Sequence, residues 1–400
     1  MHKKAFFVLF FVVFFNATGF GLVFPLFSAM LFDPDGFLLD PSVSDTVRGL
    51  WLGILLSTAP IVQMLVSPYF GKLSDRFGRK PLILFCLSVG FVAYLFAAHA
   101  VEQVSLYGLF VSRIGIGIPF ATFGLANAVI ADISTESDRG RKFAWINSAY
   151  GSGFAVGPLL GGLLASDRFF GVESFARPFY ISSLLLLTAL FLVIICVPET
   201  RKKENITSNI SIFSEVRNLN KRILKLLLAT FLFFFGWSFY IELIPVWWMA
   251  HFELAAEHVG LMFAYASFWL VATCSFMTGP LLKRINPLLL FEIAALLLFV
   301  CLWIMFIFNS EIVYLFELAL QNVFAGILYP VTATAVSTLS DGKNQGKIMG
   351  IYAGVQGFGL GLSPLTSGLF VGFHVMMPVA LGGLFVFFSW VYARRVRKIA

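Results

Sequence analysis

The chain has 400 residues, 59% of them hydrophobic and 12% charged, with a mean hydropathy of +0.89 and a formal net charge of +7. Soluble globular domains carry about 25% charged residues, so this composition excludes a water-soluble fold and calls for a lipid environment. The positive balance is accounted for by where the basic residues fall, without nucleic acid.

Crossing a bilayer takes about 20 predominantly apolar residues per helix. The sequence offers twelve such runs, at approximately 5–31, 49–70, 82–100, 104–131, 143–165, 179–197, 223–249, 259–281, 287–308, 312–338, 346–370 and 375–393. The first follows Lys3 and Lys4, as a secretory leader would, but its apolar stretch runs on to Phe32 and reads as a retained helix. An even number of crossings puts both ends on one side. Arg48, Arg168 and Arg177 lie on the opposite side and Arg113 lies inside a helix; every other one of the 28 Lys and Arg falls on the side of the termini. Cytoplasmic loops collect basic residues, so both termini are expected in the cytoplasm of a multi-pass protein of the cell (inner) membrane. Asp33, Asp35, Asp40 and Asp45 fall in the first external loop. The sequons at Asn205 and Asn209 are cytoplasmic and carry no meaning there. Cys86, Cys196, Cys274 and Cys301 sit far apart in apolar segments and read as small hydrophobes. His99, His251, His258 and His374 fall at external helix ends, where an interfacial role suits a polar ring.

In chain order, the first run holds FFNATGFGLVFPLF, with Asn16 and no carboxylate. Next comes the polar decapeptide GKLSDRFGRK, residues 71–80, between two apolar runs. Gly71 and Gly78 permit sharp turns, and Pro81 suits the first turn of the following helix. This segment resembles the loop signature of major facilitator superfamily transporters. The resemblance implies an all-α membrane fold of 12 transmembrane helices in two pseudo-symmetric six-helix bundles. It also implies that Asp75, Arg76 and Arg79 form a cytoplasmic ion-pair gate with Gly71 and Gly78, for which Asp132 would partner Arg76 or Arg79. Within that superfamily the first run resembles tetracycline-type exporters, which typically have an acid where Asn16 stands. Asn16 can hydrogen-bond cargo but cannot shuttle a proton, so coupling falls on other residues.

The fourth run carries Leu109, Arg113, Gly117 and Ala121 at intervals of four. It resembles the superfamily's fourth-helix signature, whose arginine is associated with proton coupling. A guanidinium at mid-helix costs at least ~2.5 kcal/mol unless it is satisfied, and bonding to neighbouring carbonyls is the structural alternative. The fifth run reads GSGFAVGPLLGG over residues 151–162. Its Gly153, Gly157, Pro158, Gly161 and Gly162 resemble the signature associated with antiporters, implying control of the outward-opening interface.

The chain also repeats. Gly140, Gly151, Gly153, Pro158 and Gly162 recur 206 residues later as Gly346, Gly357, Gly359, Pro364 and Gly368, and Gly71 and Arg76 recur at an offset of 208 as Gly279 and Arg284. Two six-helix halves follow, at 1–197 and 223–400, joined by a cytoplasmic linker at 198–222. In that linker Ile210, Phe213, Val216 and Leu219 suggest a short surface helix. Duplicated bundles can rock about a site near the midplane.

Three acids fall inside expected helices: Glu242, Glu292 and Glu317. A charged carboxylate is costly in hydrocarbon, so such a group is suited to taking up and releasing a proton. Glu242, among Trp237, Tyr240, Trp247 and Trp248, is the first proton or cation candidate and Glu317 the second, while Glu292 is near enough the cytoplasmic end to snorkel. A purely structural role stays open for each. Gln321 occupies the position pseudo-equivalent to Arg113. With Asn16, Trp237, Tyr240, Trp269 and Tyr329 it makes the expected substrate cavity.

No metal-ligand cluster, nucleophile–base constellation or nucleotide loop appears, so neither an enzyme nor a cofactor is expected. Two readings remain: a proton-coupled exporter (antiporter) of an amphipathic small molecule, and a proton-coupled importer of a nutrient or siderophore-like metal chelate. The expected partners are that small molecule, protons and the lipid bilayer, with no nucleic acid and a monomeric chain.

Overall fold

A computed structural model describes residues 2–33, 36–134, 136–166, 174–200, 219–252, 254, 256–305, 311–339 and 345–398. The linker residues 201–218, and with them most of the suggested surface helix, lie outside the described residues.

Among the described residues the secondary structure is helical. The helices are α1 (His2–Val23), α2 (Leu26–Leu31), α3 (Asp45–Phe77), α4 (Arg79–Glu102), α5 (Leu106–Gly117), α6 (Ala121–Ile133), α7 (Glu136–Ala165) and α8 (Arg177–Cys196). They continue as α9 (Lys221–Ile241), α10 (Ile244–Phe252), α11 (Ala256–Ala272), α12 (Thr278–Arg284), α13 (Pro287–Ile304), α14 (Glu311–Thr338), α15 (Gln345–Val371) and α16 (Met377–Lys398). Among the described residues ten helical stretches are long and apolar enough to cross a membrane. The fifth and eleventh expected crossings are the glycine-bearing helices α7 and α15.

Four expected single helices are interrupted. The first breaks between α1 and α2 at Phe24 and Pro25, and the fourth between α5 and α6 around Pro119. Proline lacks the N–H that continues the helical ladder. The seventh breaks at Glu242 and Leu243, just before Pro245, whose ring disfavours helical geometry at Ile244. The eighth contains a π-helical turn over Thr273–Met277, where Thr278 Oγ1 donates to Thr273 O at 3.0 Å.

Contacts gather the chain into two units. The first comprises Met1–Ser44, Ile54–Thr207 and Met249–Ala264; the second comprises Asp45–Gly53, Ser208–Trp248 and Tyr265–Ala400. Bilayer helices gain little from the hydrophobic effect between one another, so small residues and hydroxyls carry their packing. In the first unit α1 lies against α7 and α8. A Cβ on Gly21 would stand 3.0 Å from both Gly157 Cα and Pro158 Cδ, and Ser182 Oγ donates to Gly19 O at 3.0 Å. In the second unit α9 lies against α16 and α15. There a Cβ on Gly236 would stand 2.6 Å from Gly382 O, and Ser389 Oγ donates to Ala229 O at 2.7 Å.

Candidate functional site: a charged turn, two buried polar clusters and two glycine seams

The turn between α3 and α4 is built around Gly78, whose φ of 107° is open to glycine and strained for L side chains. Its N–H closes α3 by donating to Ser74 O at 3.0 Å. Asp132 pairs with Arg79 Nε at 3.5 Å, and Thr200 Oγ1 reaches the same carboxylate oxygen at 3.3 Å. Arg79 also donates to Ser74 Oγ. Arg76 stands apart, its guanidinium 5.4 Å from the Phe77 ring centre. Nothing lies within 4 Å of a Cβ on Gly71, and the Asp75 side chain lies outside the described residues.

Sequence reasoning missed Glu199. Its carboxylate accepts from Arg79 N at 2.9 Å and Lys80 N at 3.2 Å, capping the first turn of α4 where the helix dipole favours an anion. A Cβ on Gly78 would collide with that carboxylate. The available signal was an acid directly after Pro198 at the end of the sixth run, on a face otherwise rich in basic residues.

Inside the first unit Arg113 is completely buried. Its Nε donates to Leu55 O at 2.8 Å, and its guanidinium carbon lies 4.9 Å from the Phe27 ring centre and 5.1 Å from that of Phe20. Cation–π contacts of this kind strengthen when desolvated. Asn16 Nδ2 donates to Pro119 O at 2.7 Å and Thr122 Oγ1 at 3.0 Å, fastening α1 to the break between α5 and α6. Its carbonyl oxygen is buried without a partner among the described residues.

Inside the second unit the polar groups meet around α14. Tyr240 Oη donates to Gln321 Oε1 at 2.5 Å and lies 3.4 Å from Tyr314 Oη, which accepts from Trp248 Nε1 at 2.5 Å. Glu317 is 5% exposed, and neither carboxylate oxygen has a side-chain hydrogen-bond partner among the described residues, the main chain of Met305 being the polar group beside it; Gln321 Nε2 has no partner among them. Glu242, the first candidate from sequence, accepts instead from Ser238 Oγ at 2.8 Å as the C-cap of α9. Glu292 is held by Arg394 at 3.7 Å and Arg397 at 2.5 Å. Trp237 stacks toward Tyr240, with ring centres 5.4 Å apart, and Tyr329 meets the rings of Phe233 and Phe234 edge-on at 5.9 and 5.0 Å. Trp269 belongs to a separate cluster with Tyr265 and Phe268. The expected cavity residues thus fall into four places, Asn16 in the first unit and three in the second, and Tyr314 and Trp248 join the one built on α14.

The glycine signature of α7 finds a partner that the sequence did not reveal. In the first unit a Cβ on Gly260 of α11 would lie 2.8 Å from Pro158 O and 3.2 Å from Gly162 Cα. In the second unit a Cβ on Gly53 of α3 would collide with Pro364 O and lie 3.4 Å from Gly368 Cα. Pro158 and Pro364, Gly162 and Gly368, and Gly53 and Gly260 are related by offsets of 206 or 207, so one contact is made twice.

Two paired seams, a charged turn and a buried arginine on a duplicated helical frame define a membrane transporter. A family model described as Major Facilitator Superfamily matches residues 9–313 and 226–399, and the chain belongs to that superfamily. It is 29% identical to the class C tetracycline resistance protein of Escherichia coli over 343 residues, covering 84% of this chain and 82% of that one. It is 31% identical to the class G tetracycline resistance protein of Vibrio anguillarum over 287 residues, covering 70% and 69%. Among solved structures it resembles a bacterial homologue of the human lysosomal transporter Spinster in an inward-facing, occupied conformation. The TM-score is 0.76 at 15% identity, over 98% of this chain and 96% of that one. This protein is a superfamily transporter akin to drug exporters, and not an enzyme.

Proposed function

We propose that the protein exports an amphipathic small molecule from the cytoplasm in exchange for protons, working as a monomer in the cell (inner) membrane with both termini in the cytoplasm. Its two functional halves are residues 1–197 and 223–400, with 198–222 as linker. The observation that carries this reading is Glu317, a buried acid in the second half whose carboxylate has no side-chain hydrogen-bond partner among the described residues. A carboxylate so placed is costly when charged and is suited to pick up a proton from one side and give it up to the other. Glu242 is the weaker carrier because Ser238 already serves one of its oxygens. Arg113 supplies the fixed positive charge of the first half. The turn at Gly71–Arg79, with Asp132 and Glu199, serves as the cytoplasmic gate, and the α7 and α15 seams serve the opposite face.

The relatives named for tetracycline resistance support export of a drug-like amphipath. Asn16, standing where such exporters typically have an acid, argues that the cargo or its coupling differs from theirs. The test is purified protein in liposomes with an imposed pH gradient, using tetracycline and ethidium as probes. Protons and probe should cross in opposite directions, and Glu317→Gln should uncouple the probe flux from the gradient. Movement in the same direction would overturn the exporter reading in favour of proton-coupled uptake. An unchanged pH dependence in Glu317→Gln would remove Glu317 as the carrier.

A further inference from the structure

We infer that Tyr314 is a positioning residue that passes the charge state of Glu317 to the outer piece of the seventh crossing. The inference rests on the reading of Glu317 as proton carrier. The seventh crossing is two helices, α9 and α10, separated by Glu242 and Leu243. Tyr314 Oη is where they meet. From α10 it accepts the Trp248 indole N–H at 2.5 Å, with the Trp247 ring edge-on at 5.2 Å, and from α9 it has Tyr240 Oη at 3.4 Å. Immediately after Trp248 the chain passes from the second unit to the first. Tyr314 therefore fastens the broken helix at the last residue before that passage.

Glu317 lies one turn beyond Tyr314 on α14, and Gln321 one turn further. The titratable groups that interact with it are Tyr240 from α9, Cys301 from α13 and Tyr314 on its own helix, while Glu242 caps α9 and His251 lies in the last turn of α10. The basic residues of the surrounding helices, Lys221, Arg222, Lys225, Lys347, Arg394, Arg395, Arg397 and Lys398, all lie at the opposite helix ends. Among the described residues of these helices no Lys or Arg therefore stands at the Glu317 end. The donors at hand are the main chain of Met305, the Tyr314 hydroxyl and the Gln321 amide, whose Nε2 has no acceptor among the described residues. An ionised carboxylate only accepts, and its bonds are about twice as strong as neutral ones. Loss of the proton from Glu317 draws the Tyr314 hydroxyl or the Gln321 amide toward it. The first carries Tyr314 Oη away from the Trp248 indole N–H that it accepts; the second loosens Tyr240, which Gln321 holds through Oε1. The first route frees α10 from α14 and the second frees α9, and uptake of a proton refastens them.

The test follows labelling of an Ala250→Cys reporter on the exposed part of α10 by an impermeant maleimide, across the neutral pH range in liposomes. Rates are normalised to Tyr107→Cys, an exposed position in the first unit, so that thiol ionisation cancels. In the otherwise unaltered protein the normalised rate should rise about fivefold as pH increases, the size that loss of one net hydrogen bond supports. Glu317→Gln should flatten this response. So should Tyr314→Phe, which keeps the ring against Trp247, and Trp248→Phe, which removes the donor from the other side. A response that survives in both Tyr314→Phe and Trp248→Phe, yet vanishes in Glu317→Gln, overturns the role of Tyr314 and leaves Glu317 standing. A response absent from the starting protein, or retained in Glu317→Gln, overturns both.

Discussion

Adding one methyl group to Gly260 tests whether the glycine seams are moving surfaces. In the structure a Cβ there lies 2.8 Å from Pro158 O and 3.2 Å from Gly162 Cα, both backbone atoms of α7. No side chain can rotate away, so relief requires the two helices to separate by roughly half an ångström to reach ordinary van der Waals distance. Overpacking of this kind costs about 1–3 kcal/mol. If transport alternately closes and parts the seam, that cost falls on the closed state alone, which shifts the closed-to-parted ratio by about 5–150-fold. Val259, next in the chain and 1% exposed, reports on the outcome as Val259→Cys. An impermeant maleimide applied from the side opposite the termini should react at least about fivefold faster when Gly260→Ala is also present, by the same coupling arithmetic. Ala at Gly53 should act in the same direction through Pro364. An unchanged labelling rate together with unchanged transport would show that α11 and α7 keep their spacing throughout the cycle, and would refute the seam.

Three further outcomes are expected. Arg113→Lys keeps the charge but replaces a planar guanidinium, which bonds Leu55 O from between two phenylalanine rings, by a compact ammonium that cannot do both; probe flux should fall more than tenfold with membrane insertion intact, and normal flux would take Arg113 out of the mechanism. Glu199→Gln keeps the shape but removes the anion at the start of α4, so melting of the detergent-solubilised protein should show a loss of up to about 1 kcal/mol, and no loss would demote Glu199 to a bystander. Val104, with a φ of 51°, ends α4 in a left-handed conformation that β-branched residues resist; Val104→Asn should gain about 1 kcal/mol, read in the same melt, and a loss would mean that the Val104 side chain has a role of its own.

The crossings were legible because bilayer thickness and the cost of buried charge constrain composition so strongly. The breaks within them were half legible. Pro25, Pro119 and Pro245 are visible in the sequence, but a membrane helix tolerates proline with neighbours to satisfy the freed groups, so a proline alone does not announce a break. Glu199 was illegible for a different reason. Its partners, the N–H groups of Arg79 and Lys80, are 120 and 119 positions away, and an acid after Pro198 does not point to them. Glu242 outranked Glu317 in the sequence because aromatic neighbours surround it along the chain. In space, Ser238 serves one of its oxygens, and the aromatic hydroxyls and indole gather on Tyr314, one turn from Glu317.

Duplication explains why the frame and the chemistry diverge. The seam contact survives in both copies because it depends on backbone approach, which only glycine permits at Gly53 and Gly260, and any side chain at either would be felt. Chemistry is under no such symmetry. The counterpart of Arg113 in the second half is Gln321, which bonds a tyrosine rather than a main-chain carbonyl, and Glu317 has no acidic counterpart in the fourth crossing, where offsets of 206–208 point to Leu109, Phe110 and Val111. A transporter that couples cargo to protons needs one titrating group and one fixed charge more than it needs two copies of either. Different buried charges in the two halves would meet that requirement, and this chain buries Glu242 and Glu317 in the second and Arg113 in the first.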